Sequence, residues 1–402
     1  MNPRLDLLQP YPFERLRQLF NGVEAPADRS PIRLSIGEPQ HATPAFIQEA
    51  LVMNLRGLSA YPTTAGGDGL RETIAHWLTQ RYDLAPIDAT HEVLPVSGSR
   101  EALFAFAQAV VDGSRRDPLV VCPNPFYQIY EGAALLAGAQ PVFLNQLPEY
   151  DFRLDMDSLS DEQWSRVQLM YVCSPGNPTG KVLQLEDWKQ IFERADRHGF
   201  VIAADECYSE IYFDEGAPPL GALQAARRLG RNAYERLVVF SSLSKRSNVP
   251  GLRSGFVAGD RQVLKQFLLY RTYHGCAMSV PIQAASMAAW RDESHVRENR
   301  TLYRKKFAAL EPILGPALAT RLPDAGFYFW AKTPCDDREF ARALFADTHV
   351  TVLPGQFLSR VSAGVNPGEG FVRIALVAPL DECIEAAERI AGFVSRRFGQ
   401  QA

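Results

Sequence analysis

Leu237-Val238-Val239-Phe240-Ser241-Ser242-Leu243-Ser244-Lys245, with Arg253 eight positions further on, is the stretch whose reading decides the fold. Leu237 to Ser241 reads as a buried strand, and its end in small hydroxyl residues forms a turn from which one lysine can project into a pocket. Lysine is the side chain that condenses with an aldehyde once desolvation or a neighbouring cation lowers its pKa. Arg253 supplies that cation and can also grip a phosphate with two parallel N–H bonds. An aldehyde carrying a phosphate is pyridoxal 5'-phosphate, so the segment points to an enzyme that uses it. The string is short, and most lysines after strands merely face water. Residues upstream have to carry the reading.

Short β-rich runs alternate with helical patterns through the middle of the chain, which argues for an α/β fold with a largely parallel sheet. Candidate strands are His91–Val96, Leu119–Cys122, Ala139–Leu144, Val167–Cys173, Phe200–Ala204, Leu237–Ser241 and Ser254–Ala258. Helical patterns lie between them, at Arg100–Val111 and Leu185–His198 for example. After about residue 285 the pattern changes to a long charged helix, Ser294–Leu310. Short strands follow at Gly326–Ala331 and Phe371–Ala375, then a last helix at Leu380–Phe398. The Gly- and Pro-rich run Gly364–Gly370 reads as a surface loop before a strand. The expected division is 46–285 as a large domain and 286–402 as a smaller one, joined by the N-terminal segment 1–45.

Three further strings sit where α/β proteins place ligands, at the carboxyl ends of strands. Ser97-Gly98-Ser99-Arg100 follows a strand and opens a helix. Gly98 allows close backbone approach, and the free N–H groups of the helix start suit a phosphate; an ordinary capped helix start is the commoner meaning of so short a string. Ser174-Pro175-Gly176-Asn177-Pro178-Thr179-Gly180 fixes a rigid turn that can hold Asn177 as a directed donor, which a plain connection would not require. Asp205 ends the apolar run Phe200–Ala204, with Tyr208 three residues on. A carboxylate there is costly unless a positive charge meets it, and the pyridinium nitrogen of pyridoxal phosphate is such a charge. The alternative is an aspartate capping the next helix.

In this order and spacing the strings resemble the class I/II aminotransferases of fold type I, over nearly the whole chain, from Ser35-Ile36-Gly37-Glu38-Pro39 to Arg373. The resemblance implies a mostly parallel seven-stranded sheet flanked by helices, plus a smaller α+β domain. It implies that Lys245 binds the cofactor aldehyde and then moves the proton, that Asp205 pairs with the ring nitrogen, and that Asn177 and Tyr208 bond the ring oxygen. Gly98, Ser99, Arg100, Ser242 and Arg253 would hold the phosphate, and Tyr127 would stack on the ring. Tyr61 would reach the phosphate of a neighbouring subunit, which implies a homodimer with shared active sites. Arg373, with the Gly37 backbone, would clamp the substrate α-carboxylate. Its neighbours Val372 and Ile374 alternate with it, and spacing does not say which face of that strand is buried.

Longer strings narrow the resemblance to the bacterial N-succinyldiaminopimelate aminotransferases of lysine biosynthesis. They are Tyr11-Pro12-Phe13-Glu14-Arg15-Leu16, Leu34 to Pro44, Tyr270 to Cys276, and Gly364 to Ala378. The implied reaction converts N-succinyl-L,L-2,6-diaminopimelate and 2-oxoglutarate to N-succinyl-2-amino-6-oxopimelate and glutamate. Within the same chemistry, aspartate, alanine, acetylornithine and aromatic amino acids are the alternative substrates. Another pyridoxal reaction (C–S lysis or decarboxylation) and a degenerate regulatory domain are the alternatives outside it; intact Lys245, Asp205 and Arg373 weigh against the last.

Composition fits this reading. The 402 residues are 46% hydrophobic, enough for a large core, and the net charge of -4 without a basic block gives no footprint for nucleic acid. No apolar run approaches the ~18 residues of a membrane helix, and the N-terminus does not read as a signal peptide. The six scattered cysteines lack any C-x-x-C pair, so reduced thiols in the cytoplasm and no metal site are expected. Cys207 is taken as a packing residue.

Overall fold

Runs that are apolar throughout, without alternation, form a sheet covered on both faces. The computed structural model describes residues 1–399 and places seven strands in one sheet, all but the edge strand Gln140–Asn145 buried along most of their length. They are β1 (Val93–Val96), β2 (Leu119–Asn124), β3 (Gln140–Asn145), β4 (Val167–Cys173), β5 (Val201–Asp205), β6 (Leu237–Ser242) and β7 (Gly255–Gly259). Their spatial order is β1-β7-β6-β5-β4-β2-β3, and only β7 runs antiparallel to its neighbours. The expected mostly parallel seven-stranded sheet is what forms, with each candidate strand within a few residues of its expected bounds.

Successive side chains of one strand enter opposite layers. Val239 packs with Trp77, Ile191 and Trp290 on one face. Val238 and Phe240 pack with Phe106, Tyr130 and Phe267 on the other. Fully burying each such side chain contributes ~1.5–3 kcal/mol. The helix Val280–Arg291 belongs to the first of these layers through Ala285, Ala289 and Trp290, and so runs across position 285.

The C-terminal part has its own sheet and core. β8 (Tyr328–Lys332), β9 (Leu353–Pro354) and β10 (Phe371–Ala375) pair antiparallel in the order β9-β10-β8. Phe329, Val372 and Ile374 face the helices that supply Leu314, Phe340 and Ile390. The N-terminal segment joins this core: Ile32 and Leu34 are buried in it, and Ile32–Arg33 pairs with Val350–Thr351.

Two boundaries differ from expectation. The long helix extends from Ser294 to Leu318, passing Pro312 and Pro316. A proline removes one helical hydrogen bond, but Leu310, Leu314 and Leu318 keep a buried stripe at four-residue spacing that holds the last turns to the core. The strand expected from Gly326 begins at Tyr328, because Gly326 has φ +89° and Ala325 bridges to Tyr212 instead. Among the described residues no helix is long and apolar enough to cross a membrane.

Candidate active site

The ladder β4-β5-β6 sets Cys173 opposite Asp205, and Asp205 opposite Phe240. Three strand ends therefore open side by side onto one cavity of about 520 Å³. Its far wall is built from the N-terminal segment and β8–β10, through Gly37, Tyr328 and Arg373.

Lys245 leaves the end of β6 on a single helical turn, Leu243–Arg246, whose start is capped by the Ser242 hydroxyl accepting from Ser244 N–H. Ser242 Oγ also donates to Ser254 O at 3.0 Å, tying this turn to β7. The Lys245 amine donates to the Gly37 carbonyl. Burial lowers its pKa to about 8, and the Arg373 and Arg100 charges push the same way.

Asp205 is buried among neutral partners. Tyr130 Oη donates to its Oδ2 at 2.7 Å, and Cys207 N–H donates to Oδ1 at 3.2 Å. Burial nevertheless raises its pKa, which these hydrogen bonds only partly oppose. A capping role for a following helix is not what it plays.

Asn177, in its rigid turn, accepts from Arg373 Nη1 at 2.9 Å, and Arg373 Nη2 donates to Ser35 O at 2.7 Å. The question left open for β10 is answered here: Val372 and Ile374 enter the small core, while Arg373 lines the cavity, 4.5 Å over the Tyr328 ring. Tyr208 Oη lies 2.8 Å from Tyr328 Oη. A Cβ on Gly37 would fall 1.9 Å from that Tyr328 oxygen, so only glycine fits there.

Gly98 adopts φ +91° at the start of the helix Ser99–Val110, and a Cβ on it would sit 2.2 Å from Arg253 Nη2. A bare helix N-terminus with a guanidinium against it is an anion cradle. Ser99, Ser242 and Arg253 line the same end of the cavity. The Arg100 side chain points elsewhere: its Nε donates to Tyr127 Oη at 2.5 Å and its Nη2 to Tyr11 Oη at 3.3 Å. Tyr61 is fully exposed and lies outside this chain's cavity. Cys207, expected only to pack, lines the cavity with Sγ 3.0 Å from Ser99 Oγ; burial keeps its thiol protonated.

Two residues at the site escaped the sequence reading. Tyr130 carries no local signal, since its contact with Asp205 spans separate elements. Tyr328 carries none either: that it shares a face with Arg373 follows only from its pairing with Ala375 in the folded sheet.

These residues fit pyridoxal 5'-phosphate. Gly98 and Arg253 form a cradle that a Cβ would fill, the amine of Lys245 sits near neutrality, and Asp205 is a buried carboxylate facing the cavity without a cation beside it. Burying a carboxylate unpaired costs several kcal/mol, which a ring cation would offset.

Comparison with known proteins agrees. The family described as aminotransferase class I and II matches residues 29–390. An LL-diaminopimelate aminotransferase of Maridesulfovibrio salexigens is 32% identical over 397 residues, covering 96% of this chain and 97% of the relative. The crystal structure of an aminotransferase from Neisseria meningitidis superposes with a TM-score of 0.95 at 54% identity, covering 98% of this chain and 99% of that one. A probable N-succinyldiaminopimelate aminotransferase from Thermus thermophilus does so at 0.82 and 26% identity, covering 95% and 99%. This chain belongs to the class I and II aminotransferases, which move amino groups between amino acids and oxo acids with pyridoxal 5'-phosphate.

Proposed function

We propose that the amino donor is N-succinyl-L,L-2,6-diaminopimelate, with 2-oxoglutarate and glutamate as the partner pair. The observation that carries this reading is a second cation facing the same cavity as Arg373: Arg100, held by Tyr11 and Tyr127. A substrate with carboxylates at both ends of a long chain suits two separated guanidinium groups. The Thermus protein's name points the same way. A second reading, free LL-diaminopimelate, is favoured by the name of the Maridesulfovibrio relative. It would put a distal ammonium in the cavity, for which Glu38 is the available carboxylate.

The geometry supports the following residue roles. Arg373 takes the α-carboxylate, leaving Asn177 free to turn toward the cofactor ring, and the Gly37 backbone closes over the same group. Lys245, with its pKa near 8, takes the proton from the substrate Cα and returns it on the cofactor side. Asp205 would pair with the ring nitrogen, Tyr208 would bond the ring oxygen and Tyr127 would stack on the ring. Gly98, Ser99, Ser242 and Arg253 would hold the phosphate, with Arg100 contributing its place at the helix start. The cofactor, when bound, supplies a ring that withdraws electrons from the reacting carbon.

The chain is further proposed to act as a cytoplasmic homodimer with Tyr61 reaching its partner's site. Support comes from the exposed apolar run Val52, Met53, Leu55, Leu58 and Tyr61 and from six unpaired cysteines. Two separate apolar cores support a large and a smaller domain, the smaller joined by the N-terminal segment, with the boundary beyond Trp290 rather than at 285.

Side-by-side kcat/KM measurements with N-succinyl-L,L-diaminopimelate, LL-diaminopimelate, acetylornithine and aspartate test the substrate. The succinylated compound is expected to lead. Turnover of it no faster than aspartate or acetylornithine ends the proposal, and a lead for LL-diaminopimelate selects the second reading.

A further inference from the structure

Outside the cavity lining lies a buried ammonium that the proposed chemistry does not use. Lys306, on the helix Ser294–Leu318, is 2% exposed. Its three protons meet three acceptors: His41 Nε2 at 2.7 Å, Leu376 O at 3.0 Å and Val377 O at 3.4 Å. Since His41 accepts at Nε2, its ring is neutral with the proton on Nδ1, as the network assigns it. Nδ1 then donates to Asn299 Oδ1 at 2.8 Å. Asn299 Nδ2 donates in turn to the backbone carbonyl of Lys245 at 3.2 Å. Asn248 adds a donor to the same Asn299 oxygen at 3.1 Å, and Thr43 Oγ1 donates to Asn248 O at 2.8 Å.

Each end of this network is a short chain distance from the cavity. His41 lies four residues beyond Gly37, whose carbonyl takes the Lys245 amine. Leu376 and Val377 follow Arg373 at the end of β10. Asn299 holds the peptide of Lys245 itself. An ammonium in a low-dielectric core is costly, and an apolar side chain of similar length could fill the space. The ammonium's donors tie one backbone segment, Leu376–Val377, to the side chain of His41 on the Gly37 segment, which an apolar side chain cannot do. Tyr303 and Cys383, the other titratable groups near Lys306, are kept neutral because burial pushes both pKa values up.

We propose that Lys306, acting through His41 and Asn299, is a positioning residue that fixes the Gly37 segment and the Arg373 strand against Lys245. The inference rests on the reading of Lys245 as the cofactor's lysine. Removing the ammonium frees both segments, admits water to the Lys245 nitrogen and loosens the α-carboxylate clamp. Water favours the charged form of that nitrogen.

The test uses the full-length, cofactor-loaded protein and its Lys306→Met, His41→Leu and His41→Gln variants. One readout is the pH midpoint of the visible absorbance change that reports ionisation at the Lys245 nitrogen; the other is KM against kcat for the amino donor. Lys306→Met is expected to move the midpoint up by about half a pH unit or more and to raise KM about tenfold with a smaller loss in kcat. His41→Leu should move both in the same direction, and His41→Gln, which can still accept and donate, should restore them. Folded variants with an unmoved midpoint and KM within about twofold overturn the proposal, even where thermal stability falls. Should Lys306→Met fail to fold, the His41 pair decides on the same readouts. A wild-type protein with no such absorbance would instead defeat the reading of Lys245, a distinguishable failure.

Discussion

The floor and the roof of the cavity are built in different ways. On the floor, Asp205 and Ser242 end two adjacent parallel strands, Lys245 and Asn177 lie three and four residues beyond the ends of β6 and β4, and the sheet ladder fixes the spacing of these ends. In the roof, Tyr328 and Arg373 come from the paired strands β8 and β10, while Gly37 comes from the N-terminal segment at the other end of the chain. Arg373 to Ser35 ties the two parts of the roof together, and three hydrogen bonds join the roof to the floor: Lys245 to Gly37, Arg373 to Asn177, and Tyr208 with Tyr328. A floor set by a ladder keeps its geometry when one side chain changes, so the loss shows in the chemical step. A roof joined to the floor by a few cross-links loses its grip on substrate when one is removed, so the loss shows in capture.

The severest break of the floor is Lys245→Ala. It removes the nucleophile and the proposed base together, and transamination should fall by about 10⁴-fold or more. The fold should persist, since a buried amine with a depressed pKa costs the native state rather than stabilising it. Thermal unfolding beside a steady-state assay checks both halves. In the roof, Arg373→Ala deletes a guanidinium whose charge-assisted hydrogen bonds contribute ~1.5–3 kcal/mol each. A bidentate carboxylate contact then corresponds to a loss of kcat/KM of roughly 10²–10⁴-fold, mostly as a raised KM. Loss in kcat with KM unchanged would erase the distinction between floor and roof.

The same division explains what could be read from the chain beforehand. Floor residues sit in contiguous strings, such as Ser174 to Gly180 and Ser242 to Lys245, where turn composition and the end of an apolar run are local signals. Gly37 and Arg373 were reached only through resemblance, because nothing near either reveals that Tyr328 lies between them. The orientation of Arg373 needed the packing of Val372 and Ile374 against a distant core. The Arg100 side chain went to Tyr11 and Tyr127, phenols supplied by the N-terminal segment and by the turn after β2, a placement invisible in the Ser97–Arg100 string. Helix length past Pro312 was likewise decided by tertiary contacts overriding a local breaker.

A milder test of the floor is Tyr130→Phe. It deletes the 2.7 Å hydrogen bond to Asp205 and leaves the stack on Tyr171, whose ring centroid is 4.5 Å away. A hydrogen bond to a charged group contributes ~1.5–3 kcal/mol, so a loss of about tenfold or somewhat more in kcat is expected. KM for the amino donor should stay put. An effect on KM alone would mean that Tyr130 serves the roof.

The smallest expected effect concerns the neighbour of Asp205 that faces away from the cavity. Glu206 is 3% exposed and takes hydrogen bonds from Tyr82 Oη at 3.1 Å and Ala222 N–H at 2.6 Å. Burial pushes its pKa from an ordinary 4.5 up to about 7, against those bonds and the Arg81 charge. Between these values the folded protein keeps a proton that the unfolded chain has released. Stability from the neutral carboxyl is thus full below about pH 4.5 and is lost as pH rises through about 7. At ~1.4 kcal/mol per unit the total is a few kcal/mol at most. Glu206→Gln keeps the shape without the charge, so its melting temperature should exceed that of the wild type at pH 8 and converge with it near pH 5. The kinetic pH profile should not move, because this group stands behind the floor and touches neither substrate nor cofactor. If the two melting curves run parallel from pH 5 to 8, Glu206 is ionised throughout, and a charge behind Asp205 would then have to be counted in the field that holds the ring nitrogen.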